Sequence, residues 1–257
     1  MPGRWLVRRE RRPQAAVRLY CFPHGGGSPG EYVRWSDDLP EIEVWGVQTP
    51  GHGSRLGEPP LRQMRPLVDA LLDDASFEAP FAFFGHSLGA LVAYEAARTL
   101  RARGLDQPAR LFLSAYPAPH LPRAGPITHL LPDSELLAVL EEQAGALPEE
   151  LRGDPGLLRP VLAAFRADCE VFETYRPPDD APLDLPFLVL GGVEDHEATA
   201  GLAEWRRYTT GPFELRLFPG GHFYLREERL AVLRLVRARL ARPGAGTAAG
   251  PPRATHR

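Results

Sequence analysis

The chain has 257 residues, 44% of them hydrophobic, and its 30 basic and 33 acidic side chains leave a net charge of −3. That balance points to neither nucleic acid nor an anionic membrane as partner, and because all 30 basic residues are arginine, a catalytic lysine is excluded. The length suits one α/β unit with a large core; no stretch approaches the roughly 20 apolar residues of a membrane span, and the Arg-rich opening lacks the apolar centre of a signal peptide.

In chain order, VRLYCF (17–22) reads as a buried strand, followed by the glycine-rich loop PHGGGSPGEY and a helix around Tyr32 to Leu39. IEVWGVQ (42–48) is a second strand, closed by the turn PGHGSR, with a helix near Leu61 to Asp74. FAFF (81–84), after Pro80, is a short buried strand. From Leu88 onward, Leu91, Val92, Glu95 and Ala96 fall at helical spacing, and that helix runs to Arg103. RLFLSAY (110–116), PFLVLGG (186–192) and FELRLFPG (213–220) are further strands. The last helix spans about Glu227 to Ala241, with Leu230, Leu233, Leu235, Val236 and Leu240 as its apolar stripe. Short apolar runs alternating with longer periodic ones predict a mostly parallel sheet flanked by helices.

Residues 118–180 break the alternation with two or three helical patterns and no convincing strand. Asp154 and Pro155 look like an N-cap and a first-turn proline. Leu158, Val161, Leu162, Phe165, Cys169 and Phe172 mark one apolar face, with a kink expected at Pro160. An insertion at that point in the order reads as a lid over the strands' C-terminal edge. The expected organisation is one domain over 1–241, with core 1–117 and 181–241 and lid about 118–180, followed by a disordered tail at 242–257. Cys21 and Cys169 lack metal-type spacing and read as buried free thiols, so no metal is expected and a soluble, reducing, cytoplasmic setting is.

The chemistry centres on Gly-His-Ser-Leu-Gly at 85–89. A strand immediately before and a helix immediately after force the backbone to reverse within a residue or two. Gly85 and Gly89 sit where side chains would collide as strand and helix converge, which is the mechanical content of a nucleophile elbow at Ser87. An activated serine needs a base, and the base an orienting acid, each from a loop beyond a strand's C-terminal end. Among eight histidines, only His222 follows such a strand in the required chain order. His86 neighbours the serine but points elsewhere, and the role of His52 is open. Of the carboxylates after PFLVLGG, Asp195 is preferred over Glu194, because two adjacent carboxylates cannot both face one imidazole. Asp179, Asp180 and Asp184 lie at the wrong edge. The oxyanion donors expected are the backbone N–H of Leu88, at the first turn of a helix, and that of Gly25, with Gly26 the near alternative.

With these motifs in place, the chain resembles the type II thioesterases, stand-alone α/β-hydrolases that accompany polyketide and nonribosomal peptide synthases. The resemblance runs from about Trp5 to Leu230 through WLVRRERRPQAAVRLYCFPHGGG, the PG turn with Arg55 followed by GEPP, GHSLGALVAYE, FRADCEVFETYRP and GPFELRLFPGGHFYL. It implies a Ser87, Asp195, His222 triad, oxyanion amides at Gly25 and Leu88, and no cofactor. The implied substrate is an acyl group on the phosphopantetheine arm of an acyl or peptidyl carrier protein, removed in an editing role during antibiotic biosynthesis. The family commonly has methionine where this chain has Leu88, alanine at Gly25 and often arginine at His52; the first two act through backbone amides, so the mechanism survives the change. Carrier proteins are generally acidic, which makes Arg123, Arg152, Arg159 and Arg166 candidate docking residues. Alternatives consistent with the sequence are a chain-releasing thioesterase, a general carboxylesterase or lipase, and an inactive carrier-binding module.

Overall fold

In a computed structural model, residues 4–122, 126–145 and 147–241 are described. The predicted tail and Arg123 lie outside them. The described residues form a seven-stranded sheet in the order β1-β3-β2-β4-β5-β6-β7. Its strands are β1 (Leu6–Val7), β2 (Val17–Phe22), β3 (Ile42–Val47), β4 (Phe81–His86), β5 (Leu111–Ser114), β6 (Phe187–Gly192) and β7 (Phe213–Phe218). Every pairing is parallel except β1 with β3, which is antiparallel. The strand order reverses beside β2, and the loops after β2 and β4 meet there at the C-terminal edge, the position at which open α/β sheets place their sites.

Strand residues alternate between two cores, as the period of two requires. Tyr20, Phe22, Trp45, Phe83, Leu111, Leu113, Phe187 and Val189 face α2 (Met64–Asp74) and α3 (Leu88–Ala102). Leu19, Cys21, Val44, Phe84, Phe112, Leu188 and Leu190 face the other way, where Tyr32 of α1 (Pro29–Val33) and Val232, Leu233 and Val236 of α8 (Arg229–Leu240) cover them. Strands buried on both faces read as unbroken apolar runs, which is why β4 and β6 were plain in the sequence.

Some elements differ from expectation. The first helix begins earlier, at Pro29, because Ser28 accepts from the Gly30 N–H and Pro29 occupies the first turn; a short 3₁₀ stretch, Arg34–Asp37, continues it. Leu230, placed in the apolar stripe of the last helix, is exposed, and Val232 takes the buried position instead. The two-residue β1 has no periodicity to betray it.

Between β5 and β6 lie α4 (Asp133–Ala144), α5 (Glu149–Arg152) and α6 (Pro155–Thr174). Asp154 caps α6 by accepting from Gly156 N–H at 2.7 Å, and the helix continues through Pro160. Leu136, Leu140, Leu162, Phe165 and Cys169 form a small third core in which α4 and α6 pack on each other. Polar ties anchor the end of α6: Tyr175 donates to Glu95 of α3 at 2.5 Å, and Arg98 bridges Glu95 and Asp180.

Candidate active site

Ser87 occupies the corner between β4 and α3 with φ +54° and ψ −124°, a conformation that costs a non-glycine residue of order 1–3 kcal/mol. The surroundings leave no alternative. A Cβ on Gly89 would lie 2.0 Å from the Phe22 carbonyl oxygen, and one on Gly85 would lie 2.1 Å from that of Gly89. The Ser87 N–H still donates to the Ser114 carbonyl at 2.8 Å, so the corner belongs to the sheet ladder. Leu88 is the first residue of α3, and its N–H has no intrahelical acceptor.

Asp195 and His222 come from the loops after β6 and β7. His222 Nδ1 donates to Asp195 Oδ2 at 2.7 Å, and Ala198 N–H donates to Asp195 Oδ1 at 3.3 Å, where Asp195 caps α7 (His196–Leu202). The carboxylate is thus held from both oxygens, whereas Glu194 is exposed. The two loops are tied by Glu194 N–H donating to the Gly220 carbonyl at 3.0 Å. The second loop arches back over the sheet, so that the His222 ring lies 5.3 Å, centre to centre, from the ring of His86, the residue before Ser87. Phe223 likewise reaches His24, beyond β2, at 5.0 Å.

His86 points away from the corner, with Nδ1 2.8 Å from Ser114 Oγ, which is itself 2.8 Å from the Tyr224 hydroxyl. Burial first, then the nearby His222 and His24, pushes the His86 pKa far down. A lowered pKa favours the neutral ring, which places no positive charge beside His222. His24 is lowered to about 4, again chiefly by burial.

In the first loop, Gly27 N–H returns to the His24 carbonyl at 2.9 Å and Gly26 N–H donates to Asp168 Oδ2 at 2.7 Å. Gly26, the near alternative as oxyanion donor, is therefore engaged, while Gly25 N–H makes no hydrogen bond among the described residues. His52, left open by the sequence, is buried and donates from Nε2 to the same Asp168 oxygen at 2.8 Å. A small cavity lies beside this cluster, its lining including Phe22, Leu88 and Val92 together with His24, His52 and Asp168.

Two docking candidates have internal partners. Arg166 donates to the carbonyls of His129 and Leu131 at 2.7 and 2.6 Å and to Asp133 at 2.6 Å, so it clamps the segment entering α4. Arg152 pairs with Glu141 at 3.3 Å. Arg159 is exposed. Asp168 lies in the FRADCEVFETYRP segment of the resemblance but takes no role from it, because its partners lie 142 and 116 residues away.

A parallel sheet with a strained serine at a strand-to-helix corner and a histidine–carboxylate pair two and three strands over defines an α/β-hydrolase. The thioesterase domain family model matches residues 17–240, and the chain belongs to that family of thioester hydrolases. It is 41% identical over 231 residues to Thioesterase PikA5 of Streptomyces venezuelae, covering 88% of this chain and 82% of that protein. It is 34% identical to gramicidin S biosynthesis protein GrsT of Aneurinibacillus migulanus, covering 90% and 91%. Among solved structures, the type II thioesterase BorB from the borrelidin biosynthetic cluster superposes with a TM-score of 0.81 at 38% identity, covering 92% and 97% of the two chains. No helix among the described residues is long and apolar enough to cross a membrane.

Proposed function

We propose that this thioesterase removes acyl groups from the phosphopantetheine arm of acyl or peptidyl carrier proteins, as an editing enzyme of a polyketide or nonribosomal peptide pathway. Ser87 is the nucleophile. His222 takes its proton, returns it to the departing thiol and then activates the water that cleaves the acyl-enzyme, while Asp195 holds the imidazole in the tautomer with Nδ1 protonated. The amides of Gly25 and Leu88 receive the oxyanion. A thiolate leaves more readily than an amine, so no metal or cofactor is needed. The helical insertion acts as a lid. Its apolar helices could supply a chamber for the acyl chain, one that admits small groups more readily than large ones.

The observation that carries this reading is the 2.7 Å bond between His222 and Asp195, on a loop folded back against the residue beside Ser87. The names of similar proteins from antibiotic pathways support the carrier-bound substrate. The test is mass spectrometry of acyl-loaded carrier proteins before and after treatment. Wild type should strip the acyl group, and Ser87→Ala should not. Asp195→Asn should lower kcat by about 10³–10⁴, the scale expected when the imidazole loses its orienting acid. Equal stripping by Ser87→Ala would refute the assignment, and faster turnover of matched oxygen esters would make the protein an esterase.

A further inference from the structure

We propose that Asp168 is a positioning residue for the oxyanion hole: from α6 its carboxylate fixes the path of the 24–27 loop so that the Gly25 amide is the one left to face the substrate. The proposal rests on the reading of Ser87 and Gly25 given above.

Three consecutive glycine amides compete for that role, and the structure disposes of two. Gly27 N–H closes a turn on the His24 carbonyl at 2.9 Å, and Gly26 N–H is taken by Asp168 at 2.7 Å. Packing agrees with the bonding. Gly26 sits at φ +72°, and a Cβ there would meet Leu140 of α4 at 3.0 Å and Phe165 of α6 at 3.1 Å. The loop therefore rests on α4 and α6 of the insertion. A glycine-rich loop left to itself samples many paths, and a donor serves an oxyanion only if held to within about 0.5 Å. One charge-assisted bond to the middle amide removes most of that freedom.

A buried carboxylate close to a forming oxyanion is a liability unless its charge is matched. His52 supplies the match. Its Nε2 donates to Asp168, and its Nδ1 lies 2.9 Å from Thr49 Oγ and 3.2 Å from the Pro50 carbonyl, so both nitrogens face acceptors. Burial opposes a charge on His52, but Asp168 and the Pro50 carbonyl outweigh it and push its pKa upward. Asp168 of α6 acts on both His52 and His24, and Arg226, His222 and His52 act on His24 in turn.

The experiment uses an acyl N-acetylcysteamine thioester as substrate, active-site titration with a fluorophosphonate, and a trifluoromethyl ketone of matched chain length, whose adduct carries an oxyanion. An inactive wild type, or an active Ser87→Ala, would strike the reading of the site and the proposal with it, whereas an active wild type with unchanged Asp168 variants strikes the proposal alone, so the two failures are separable. Per titrated site, Asp168→Ala should lower kcat about 10-fold or more with KM changed less than about threefold, somewhat less than removing an oxyanion donor outright. Its Ki for the ketone should rise by the factor that kcat/KM falls, which loss of packing alone does not produce. Asp168→Asn keeps an acceptor for Gly26 N–H and should recover most of the rate; Asp168→Glu, which keeps the charge but displaces it, should not. That second comparison decides the matter if the alanine variant does not fold. Unchanged kcat and Ki in Asp168→Ala, or Glu matching Asn, overturns the proposal.

Discussion

Leu88 and Gly25, the two amides proposed to receive the oxyanion, are held in place by different means. Leu88 opens a helix that the sheet itself aims, and its neighbour Gly89 touches the backbone after β2 so closely that not even a methyl group fits. Gly25 sits in a loop whose position depends on side chains of the insertion, namely Asp168, Leu140 and Phe165. The first donor cannot move unless the sheet comes apart. The second moves whenever α4 and α6 do, so under the proposed reading the insertion would set the position of an oxyanion donor as well as cover the site.

Gly89→Ala attacks the rigid half and should have the largest effect. With its Cβ 2.0 Å from a backbone oxygen, the variant should lose the elbow and with it the soluble, cooperative fold; a protein with normal thermal melting and fluorophosphonate labelling would break the contrast. Leu162→Ala attacks the other half. Leu162 is buried in the small core of the insertion, so its truncation should cost about 2–5 kcal/mol. Hydrogen exchange should quicken in α4 and α6 while β4 and β6 stay protected, and equal deprotection of the strands would show one cooperative unit instead of two.

The smallest effect sharpens the contrast through pH. The folded-state pKa of His52 is raised, so its contribution to stability is complete below the ordinary value of about 6.5 and is lost as pH rises through the higher folded value. Across that rise, the urea midpoint of wild type should fall toward that of His52→Gln. A difference that stays flat, or widens with pH, would mean the imidazole carries no charge in the folded protein.

The rigid half was legible in the sequence because its determinants are local. Gly85, Ser87 and Gly89 sit within five residues, and β4 and β6 are unbroken apolar runs. Asp195 and His222 could be proposed because each lies in a loop just past a strand, the apolar run of β6 for one and the mixed FELRLF of β7 for the other. Asp168 enters only within FRADCEVFETYRP and with no role of its own, since its partners come from chain segments more than a hundred residues away. The internal partners of Arg166 were hidden for a related reason: the carbonyls it holds, those of His129 and Leu131, lie more than thirty residues away. Leu230 shows the limit of periodicity, since an apolar residue at the edge of a stripe faces solvent after a small rotation of the helix.

The turn that carries His52 has a second attachment, at the opening of the chain. Arg55 donates to the Gln48 carbonyl at 3.0 Å, grips Glu58, and lies flat over Trp5 at 4.6 Å, while Gln48 N–H donates to the Trp5 carbonyl at 2.7 Å. Anything that dislodges that indole, whether a protease cut or an affinity tag crowding it, unpins the turn behind the imidazole. Purification handles for this enzyme therefore belong at the carboxyl end.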